Sequence, residues 1–231
     1  TTPHEEGEEG DFVYNGAADN ASGTAGLLEV AEACANTPEA PRRSVGFLAV
    51  TAEESGLLGS KAYAAKPQYP MNKTVGGINM DGLNFKGKMS DVVVVGYGSS
   101  EMEEILTDVA RETGRTITPE ANPEKGSYYR SDHFNFAKNG VPILYAGGGT
   151  VDRERGAEYV KQRNAEYIAK YYHSPSDEIQ DDWDLDAGVE DLRIYYKIGH
   201  RLAYSDDWPE WYEGNEFRAI REASLATDSA E

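Results

Sequence analysis

The chain is poor in cysteine, which forms disulfides and thiolate metal sites, and in histidine, which binds metals through its imidazole. Of its 231 residues, one is cysteine (Cys34) and four are histidine. These counts exclude a disulfide framework within the chain and a cysteine-rich zinc site. Basic residues are also scarce, 22 against 41 acidic ones, and the net charge of −19 disfavours nucleic acids and anionic membranes as partners. No window approaches the roughly 20 apolar residues of a transmembrane helix.

The patterns that are present indicate an α/β protein. Apolar runs predict strands over residues 45–51, 75–80, 91–96 and 141–146, and helical periodicity predicts helices over 22–36, 57–65, 100–113, 131–138, 159–171 and 185–204. This alternation predicts a mixed, mostly parallel β-sheet sandwiched by helices. Residues 1–18 are expected to form an acidic loop, and the tail after Ser205 to pack as an appended segment. Without repeats or long linkers, residues 1–231 are expected to form a single domain.

Two adjacent acidic residues at the end of the first predicted strand are the strongest local signal. Glu53 and Glu54 follow the apolar run Val45–Val50. Neighbouring side chains at a strand end point in different directions. One carboxylate can therefore hold a cation while the other faces a water molecule, which is the arrangement that metal-assisted hydrolysis requires.

Three further polar clusters are placed to reach the same edge of the sheet. They are Asn15-Gly-Ala-Ala-Asp19-Asn-Ala-Ser-Gly23 before a helix, Asn79-Met-Asp81-Gly82 after a strand, and Tyr171-Tyr-His173-Ser-Pro-Ser-Asp177-Glu178 after a helix. Ligands of open α/β sheets gather at the carboxyl ends of the strands. Carboxylate oxygens with an imidazole suit zinc or a similar divalent ion. Each residue also has an ordinary interpretation: Asp19 as a helix cap, Asp81 as a turn residue and His173 as a surface histidine.

These stretches, together with Thr51-Ala-Glu53-Glu54-Ser-Gly-Leu-Leu-Gly-Ser60 and Ser131-Asp132-His133, make the chain resemble a known family. It resembles the co-catalytic zinc aminopeptidases, the M28-type metallopeptidases, whose motifs occur here in the family's order over residues 11–180. The resemblance implies the three-layer zinc-aminopeptidase fold and a metallo-exopeptidase that acts on peptides.

The resemblance assigns four metal ligands. Asp19 matches the carboxylate that bridges two zinc ions, Glu54 and His173 match ligands of one ion, and Asp81 matches a ligand of the other. A bridging carboxylate lets two divalent ions lie roughly 3.5–4 Å apart.

The resemblance also assigns catalytic and supporting roles. Glu53 matches the general base, and Tyr172 is a candidate for stabilising the oxyanion. Asp132 and His133 are expected to support the substrate pocket, and Asp177 to orient the loop of His173.

One expected ligand is missing from the pattern. The family carries a further histidine, in a His-x-Asp motif that precedes the bridging aspartate. His4 is the candidate by position, but no apolar strand precedes it and Glu6 stands where the aspartate should be. We expect His4 to be a loop residue and the true ligand to lie upstream of Thr1, which would make this chain a C-terminal portion that holds one zinc ion or none. Relatives of this type are commonly exported, so we expect a secreted or periplasmic protein.

Three alternatives stay open at this point. A glutaminyl-cyclase-like acyltransferase would need one zinc ion, which Asp19, Glu54 and His173 could hold. A carboxypeptidase specificity is compatible with the same framework. The non-enzymatic alternative is a metal-free binding module of the same fold. The preferred N-terminal residue, the native metal and the oligomeric state are not indicated by the sequence.

Overall fold

A computed structural model describes residues 10–228 of the chain, so His4 lies outside the described residues. The strands are β1 (Gly77–Asn79), β2 (Asp91–Val94), β3 (Thr116–Pro119) and β4 (Ile143–Gly147). The α-helices are α1 (Ser22–Ala35), α2 (Leu58–Ala65), α3 (Met102–Glu112), α4 (His133–Ala137), α5 (Gly156–Lys170), α6 (Leu185–Tyr204) and α7 (Arg218–Asp228). Short 3₁₀ turns lie at Met71–Lys73, Pro123–Lys125 and Ser127–Arg130, and a π-turn at Ala17–Ala21 precedes α1. No helix in the described part is long and apolar enough to cross a membrane.

The four strands form one mostly parallel sheet in the order β1-β4-β2-β3. β1 pairs with β4 and β2 with β3 in parallel, while β2 and β4 are antiparallel. β2 lies inside the sheet, which explains its unbroken run of valines, since a strand covered on both faces shows no polar alternation. The predicted fold class, a mixed sheet flanked by helices, is confirmed.

Two amphipathic helices supply most of the core that covers the sheet. In α3 the buried residues recur at helical spacing (Met102, Ile105, Leu106, Val109 and Ala110), and in α6 they do so again (Ile194, Tyr195, Ile198 and Leu202). Asp184 caps α6 by accepting a hydrogen bond from the amide of Ala187 at 3.2 Å. This core holds β1 and β4 in place, and the carboxyl ends of both strands lead into the candidate site.

The strand predicted over residues 45–51 is wrong as an assignment. Among the described residues it joins no strand of the sheet and has no regular secondary structure, and at its end the carbonyl of Thr51 accepts a hydrogen bond from the amide of Gly59 in α2 at 2.9 Å. Val45, Phe47 and Leu48 are each 40% exposed. The apolar run has the composition of a strand, but a strand also requires a neighbour with which to share its hydrogen bonds.

Two elements were not predicted, β3 and α7. β3 is a four-residue strand that ends in a proline, and it escapes detection because it is short and alternates with polar residues. The tail before α7 packs on the body as expected: Trp211 and Phe217 join Ala137 in a second buried cluster. The indole nitrogen of Trp211 donates to the carbonyl of Gly140 at 2.8 Å.

A buried ion pair stabilises the loop that follows β4. A guanidinium nitrogen of Arg115 lies 2.6 Å from the carboxylate of Asp191, and both side chains are almost fully buried. Arg115 also donates to the carbonyls of Asp91 and Gly148, and Asp191 accepts from the amide of Gly148 at 2.7 Å. These contacts satisfy both charges and fix the loop that follows β4.

Replacing Arg115 by methionine is expected to lower the free energy of unfolding by about 3–5 kcal/mol, because Asp191 would stay buried without its cation. Urea unfolding measures this change. Arg111→Met is the matched control, since the pair of Arg111 with Asp108 is exposed and such pairs contribute about 0–1 kcal/mol. Equal losses in the two variants would contradict a structural role for the buried pair.

Candidate functional site

The residues singled out from the sequence line one cavity. It has a volume of about 580 Å³, and its walls include Asp19, Glu53, Glu54, Asp81, Tyr172 and His173. They arrive from four loops that are distant in sequence. The chain therefore brings together every residue that the motif analysis proposed for catalysis or metal binding.

Three of these side chains converge on one point. Nε2 of His173 lies 2.8 Å from a carboxylate oxygen of Glu54 and 3.2 Å from one of Asp19. Within the described residues, these three form a group whose candidate ligand atoms all lie within 4.8 Å of one another. Asp81 is not part of this compact group, but its charge acts on Asp19. The ring of Tyr172 stacks on His173 at 3.7 Å between centroids.

The carboxyl groups of the cavity repel one another. Burial, followed by the charges of Asp81 and Glu54, raises the pKa of Asp19 to about 6. Burial also raises the pKa of Glu53 to about 7, and the neighbouring charges of Asp81 and Glu54 add to this effect. A cation placed among these groups would remove the repulsion, so the electrostatics of the site favour a bound divalent ion.

Backbone geometry at the site departs from ordinary loops. His173 has a φ of 53° and Ala52, just before Glu53, has a φ of 57°, both in the left-handed region that side chains other than glycine rarely adopt. Such conformations persist where the surroundings impose them, and they cluster at functional sites. Here they aim His173 and Glu53 into the cavity.

Asn20 joins the loop of Asp19 to the loop of Asp81, a role that the sequence did not reveal. Its side-chain nitrogen donates to the carbonyl of Met80 at 2.9 Å, and its side-chain oxygen accepts from the backbone amides of Gly82 and Gly23. Ser22 adds a second link by accepting from the amide of Leu83 at 3.0 Å. The segment Asp-Asn-Ala-Ser-Gly indicates a metal ligand in Asp19, with helix capping as its ordinary interpretation, but it does not indicate the contacts of Asn20 with the loop of Asp81.

Asp177 joins the loop of His173 to the loop of Asp19. Its carboxylate accepts hydrogen bonds from the backbone amides of Ala18 and Asp19, both at 3.0 Å, and it is buried. Its own amide bonds to the carbonyl of Ser174, next to His173. We expected it to orient the His173 loop; its carboxylate holds the Asp19 loop instead.

Asp81 is held by hydroxyl donors. Ser131 donates to its carboxylate at 2.6 Å and Tyr145 lies at 3.4 Å, while Asn79 donates to the Ser131 hydroxyl at 2.7 Å. These contacts fix one carboxylate oxygen of Asp81 and leave the other available to a ligand. Ser131 and Asn79 lie in motifs that the sequence analysis quoted, but their role depends on contacts across the sheet.

Asp132 and His133 support the site from outside the cavity wall. Asp132 accepts from the hydroxyl of Ser60 and tightens the contact between α2 and α4. His133 is buried against Tyr128 and Tyr145, and burial lowers the pKa of its imidazole to about 4. It therefore stays neutral at physiological pH and packs against the tyrosine that contacts Asp81.

The residues present fit a zinc ion. Two carboxylates and one imidazole are donors that zinc accepts, and they already lie within reach of a common point. The carboxylate of Asp177 holds the backbone of Asp19, and the hydroxyl of Ser131 holds the carboxylate of Asp81, which is the kind of outer support that metal ligands have.

Comparison with known protein families identifies the family of this chain. The sequence profile of peptidase family M28 matches residues 3–196, which is most of the chain. The chain belongs to peptidase family M28. The family relationship accounts for the shared order of the motifs.

Solved structures share the fold of this M28 chain. An aminopeptidase from Aneurinibacillus sp. strain AM-1 superposes with a TM-score of 0.56 at 23% identity, over 84% of this chain and 41% of that one. The LapA aminopeptidase of Legionella pneumophila superposes with a TM-score of 0.62 at 18% identity, over 83% of this chain and 48% of its own. The present chain thus spans less than half the length of these structures.

The close approach of α1 to the end of β1 provides a test of the site's framework. A Cβ atom on Gly23 would lie 2.2 Å from the side chain of Asn20 and 2.5 Å from the carbonyl of Met80. Gly23→Ala is therefore expected to cost about 1–3 kcal/mol in unfolding free energy.

Gly199→Ala is the matched control, since nothing lies within 4 Å of a Cβ atom at this position of α6. There the same substitution is expected to stabilise by about 0.5–1 kcal/mol, because alanine favours the helix. Urea unfolding of both variants measures the difference. A neutral or stabilising effect at Gly23 would mean that the two loops are not packed as described.

Proposed function

We propose that this chain carries the catalytic site of a zinc-dependent aminopeptidase, with Glu53 as the general base. The observation that carries the proposal is the convergence of Asp19, Glu54 and His173 in the cavity that Glu53 also lines. Zinc, when bound, supplies Lewis-acid chemistry that polarises the scissile carbonyl and acidifies a water molecule.

The protein's own groups supply the ligands. Asp19, Glu54 and His173 would hold one ion. Asp81, whose charge acts on Asp19, is proposed as a ligand to a second ion shared through Asp19. The hydrogen bonds of Asp177 and Ser131 keep Asp19 and Asp81 in position before any ion arrives.

Glu53 moves the proton. Its carboxylate accepts a proton from the attacking water and delivers it to the leaving amine. The hydroxyl of Tyr172, a half-exposed residue that lines the cavity, donates to the oxyanion that develops at the carbonyl oxygen.

Specificity for a free N-terminus follows from the charge of the cavity. Acidic residues that line the cavity and are not assigned to an ion, such as Glu53 and Glu178, would attract an α-ammonium group, which an internal peptide bond lacks. Both fold relatives are aminopeptidases, which supports the same specificity.

Glu53→Gln is expected to reduce kcat for leucine p-nitroanilide by about 10²–10⁴-fold, because the amide cannot accept the proton. Zinc content, measured by atomic absorption on the same samples, should not change. Glu29→Gln, on the exposed face of α1, is the matched control and should keep full activity.

Other outcomes would identify the alternatives. Undiminished hydrolysis by Glu53→Gln would remove Glu53 from the mechanism. Formation of pyroglutamate with one zinc ion would favour a glutaminyl cyclase, release of C-terminal residues a carboxypeptidase, and absence of zinc binding a binding module.

A further inference from the structure

The same cavity contains a lysine that none of the proposed catalytic steps uses. Lys86 lines the cavity, together with Phe85 and Trp183 from neighbouring segments. Among the described residues Lys86 makes hydrogen bonds through its backbone alone: its amide donates to Asn84 and its carbonyl accepts from Arg155. Its ammonium group has no ion-pair partner within residues 10–228, although the residue lines the cavity.

The charges around Lys86 do not neutralise it. Asp191 is the carboxylate whose charge acts on the amine, but Asp191 is already paired with Arg115 at 2.6 Å. Arg163 also lines the cavity, and its charge is taken up by Glu166 and Asp182 at 3.0 and 2.6 Å. Among the described residues Lys86 is therefore left without a carboxylate of its own, although the cavity as a whole is acidic.

The surroundings make the ammonium costly to leave unpaired. Burial lowers the pKa of the Lys86 amine, and the positive charge of Arg163 adds to this effect. The Nε atom of Arg163 is buried and has no hydrogen-bond acceptor within the described range 10–228. A poorly solvated cation gains most from an anionic partner that enters the cavity.

The backbone around Lys86 is held rigidly. The amide nitrogen of Asn84 donates to the carbonyl of Gly87 at 2.7 Å, and the amide of Asp184, the cap of α6, donates to the carbonyl of Phe85 at 2.9 Å. Phe85 and Trp183 stack at 4.2 Å between ring centroids. These contacts fix the base of the lysine beside an apolar wall, which suits a ligand with an aliphatic stem and a charged end.

We propose that Lys86 recognises a carboxylate of the substrate, so that this peptidase prefers peptides that begin with an acidic residue or very short peptides with a free C-terminus. The inference rests on the proposed aminopeptidase function. The α-amino end would lie at the carboxylates around His173, and the substrate carboxylate would reach Lys86 in the other part of the cavity.

The test compares glutamyl, glutaminyl and leucyl p-nitroanilides on the zinc-loaded chain. Glutamine matches glutamate in size and lacks the charge. Wild type should prefer glutamyl over glutaminyl by about 10- to 100-fold in kcat/KM, which corresponds to a charged hydrogen bond. Lys86→Met should abolish this preference and leave leucyl hydrolysis little changed.

Two further variants separate charge from structure. Lys88→Met is the matched control, because Lys88 lies on the same loop, pairs with Asp186 at 3.2 Å and does not line the cavity. It should retain the glutamyl preference. Lys86→Glu should reverse the preference toward lysyl p-nitroanilide.

A separate experiment distinguishes the two possible sources of the carboxylate, the C-terminus of a short peptide and an acidic side chain. Faster cleavage of Ala-Ala than of Ala-Ala-amide, lost in Lys86→Met, would assign Lys86 to the C-terminal carboxylate. A glutamyl preference with no such difference would assign it to the side chain. If wild type shows neither preference, the proposal is overturned.

A binding measurement keeps this proposal distinct from the proposed function. Calorimetric titration with glutarate should show binding to wild type that is weakened about 10-fold or more in Lys86→Met. If no anilide is hydrolysed but glutarate binds through Lys86, the aminopeptidase function fails and the carboxylate site stands. If leucyl anilide is hydrolysed but Lys86→Met changes neither the substrate preference nor glutarate binding, the aminopeptidase function stands and the carboxylate site fails.

Discussion

Repulsion among carboxyl groups in one cavity is the constraint on which the rest of the site depends. Asp19, Glu53, Glu54 and Asp81 share the cavity with His173, the one histidine among the described residues that line it. Holding these acids together costs free energy, as the raised pKa values of Asp19 and Glu53 show. The surrounding hydrogen bonds of Asn20, Asp177 and Ser131 offset that cost, and they hold the loops that carry Asp19 and Asp81 in place.

The fold supplies this arrangement through loops and not through strands. β1 ends at Asn79 and so delivers Asp81, but Asp19, Glu54 and His173 all lie in irregular segments. Side chains from the preceding and following loops bind the backbone of those segments directly. The geometry of the site therefore depends on polar contacts between loops, while the apolar core beneath, built by α3 and α6, keeps the sheet fixed.

Local patterns were sufficient to predict the fold class and to select the residues that line the cavity. The alternation of apolar runs and helical periodicity predicted the mixed sheet, and short motifs selected Asp19, Glu54 and His173; their catalytic roles stay predictions. Residues 45–51 show the limit, because pairing depends on a neighbour that local composition does not specify. Lys86 shows another limit: it stands in an unremarkable Asn-Phe-Lys-Gly segment, and its missing counter-charge becomes visible only when distant residues are placed around it.

Two buried carboxylates that accept hydrogen bonds from backbone amides have a consequence for hydrogen exchange. Asp177 binds the amides of Ala18 and Asp19, and Asp91 binds those of Thr150 and Val151. Amide protons in irregular segments ordinarily exchange with deuterium quickly, since little protects them from solvent. In this molecule those four amides should exchange slowly, as slowly as amides in a central strand. They would identify rigid loop segments that secondary structure alone does not indicate.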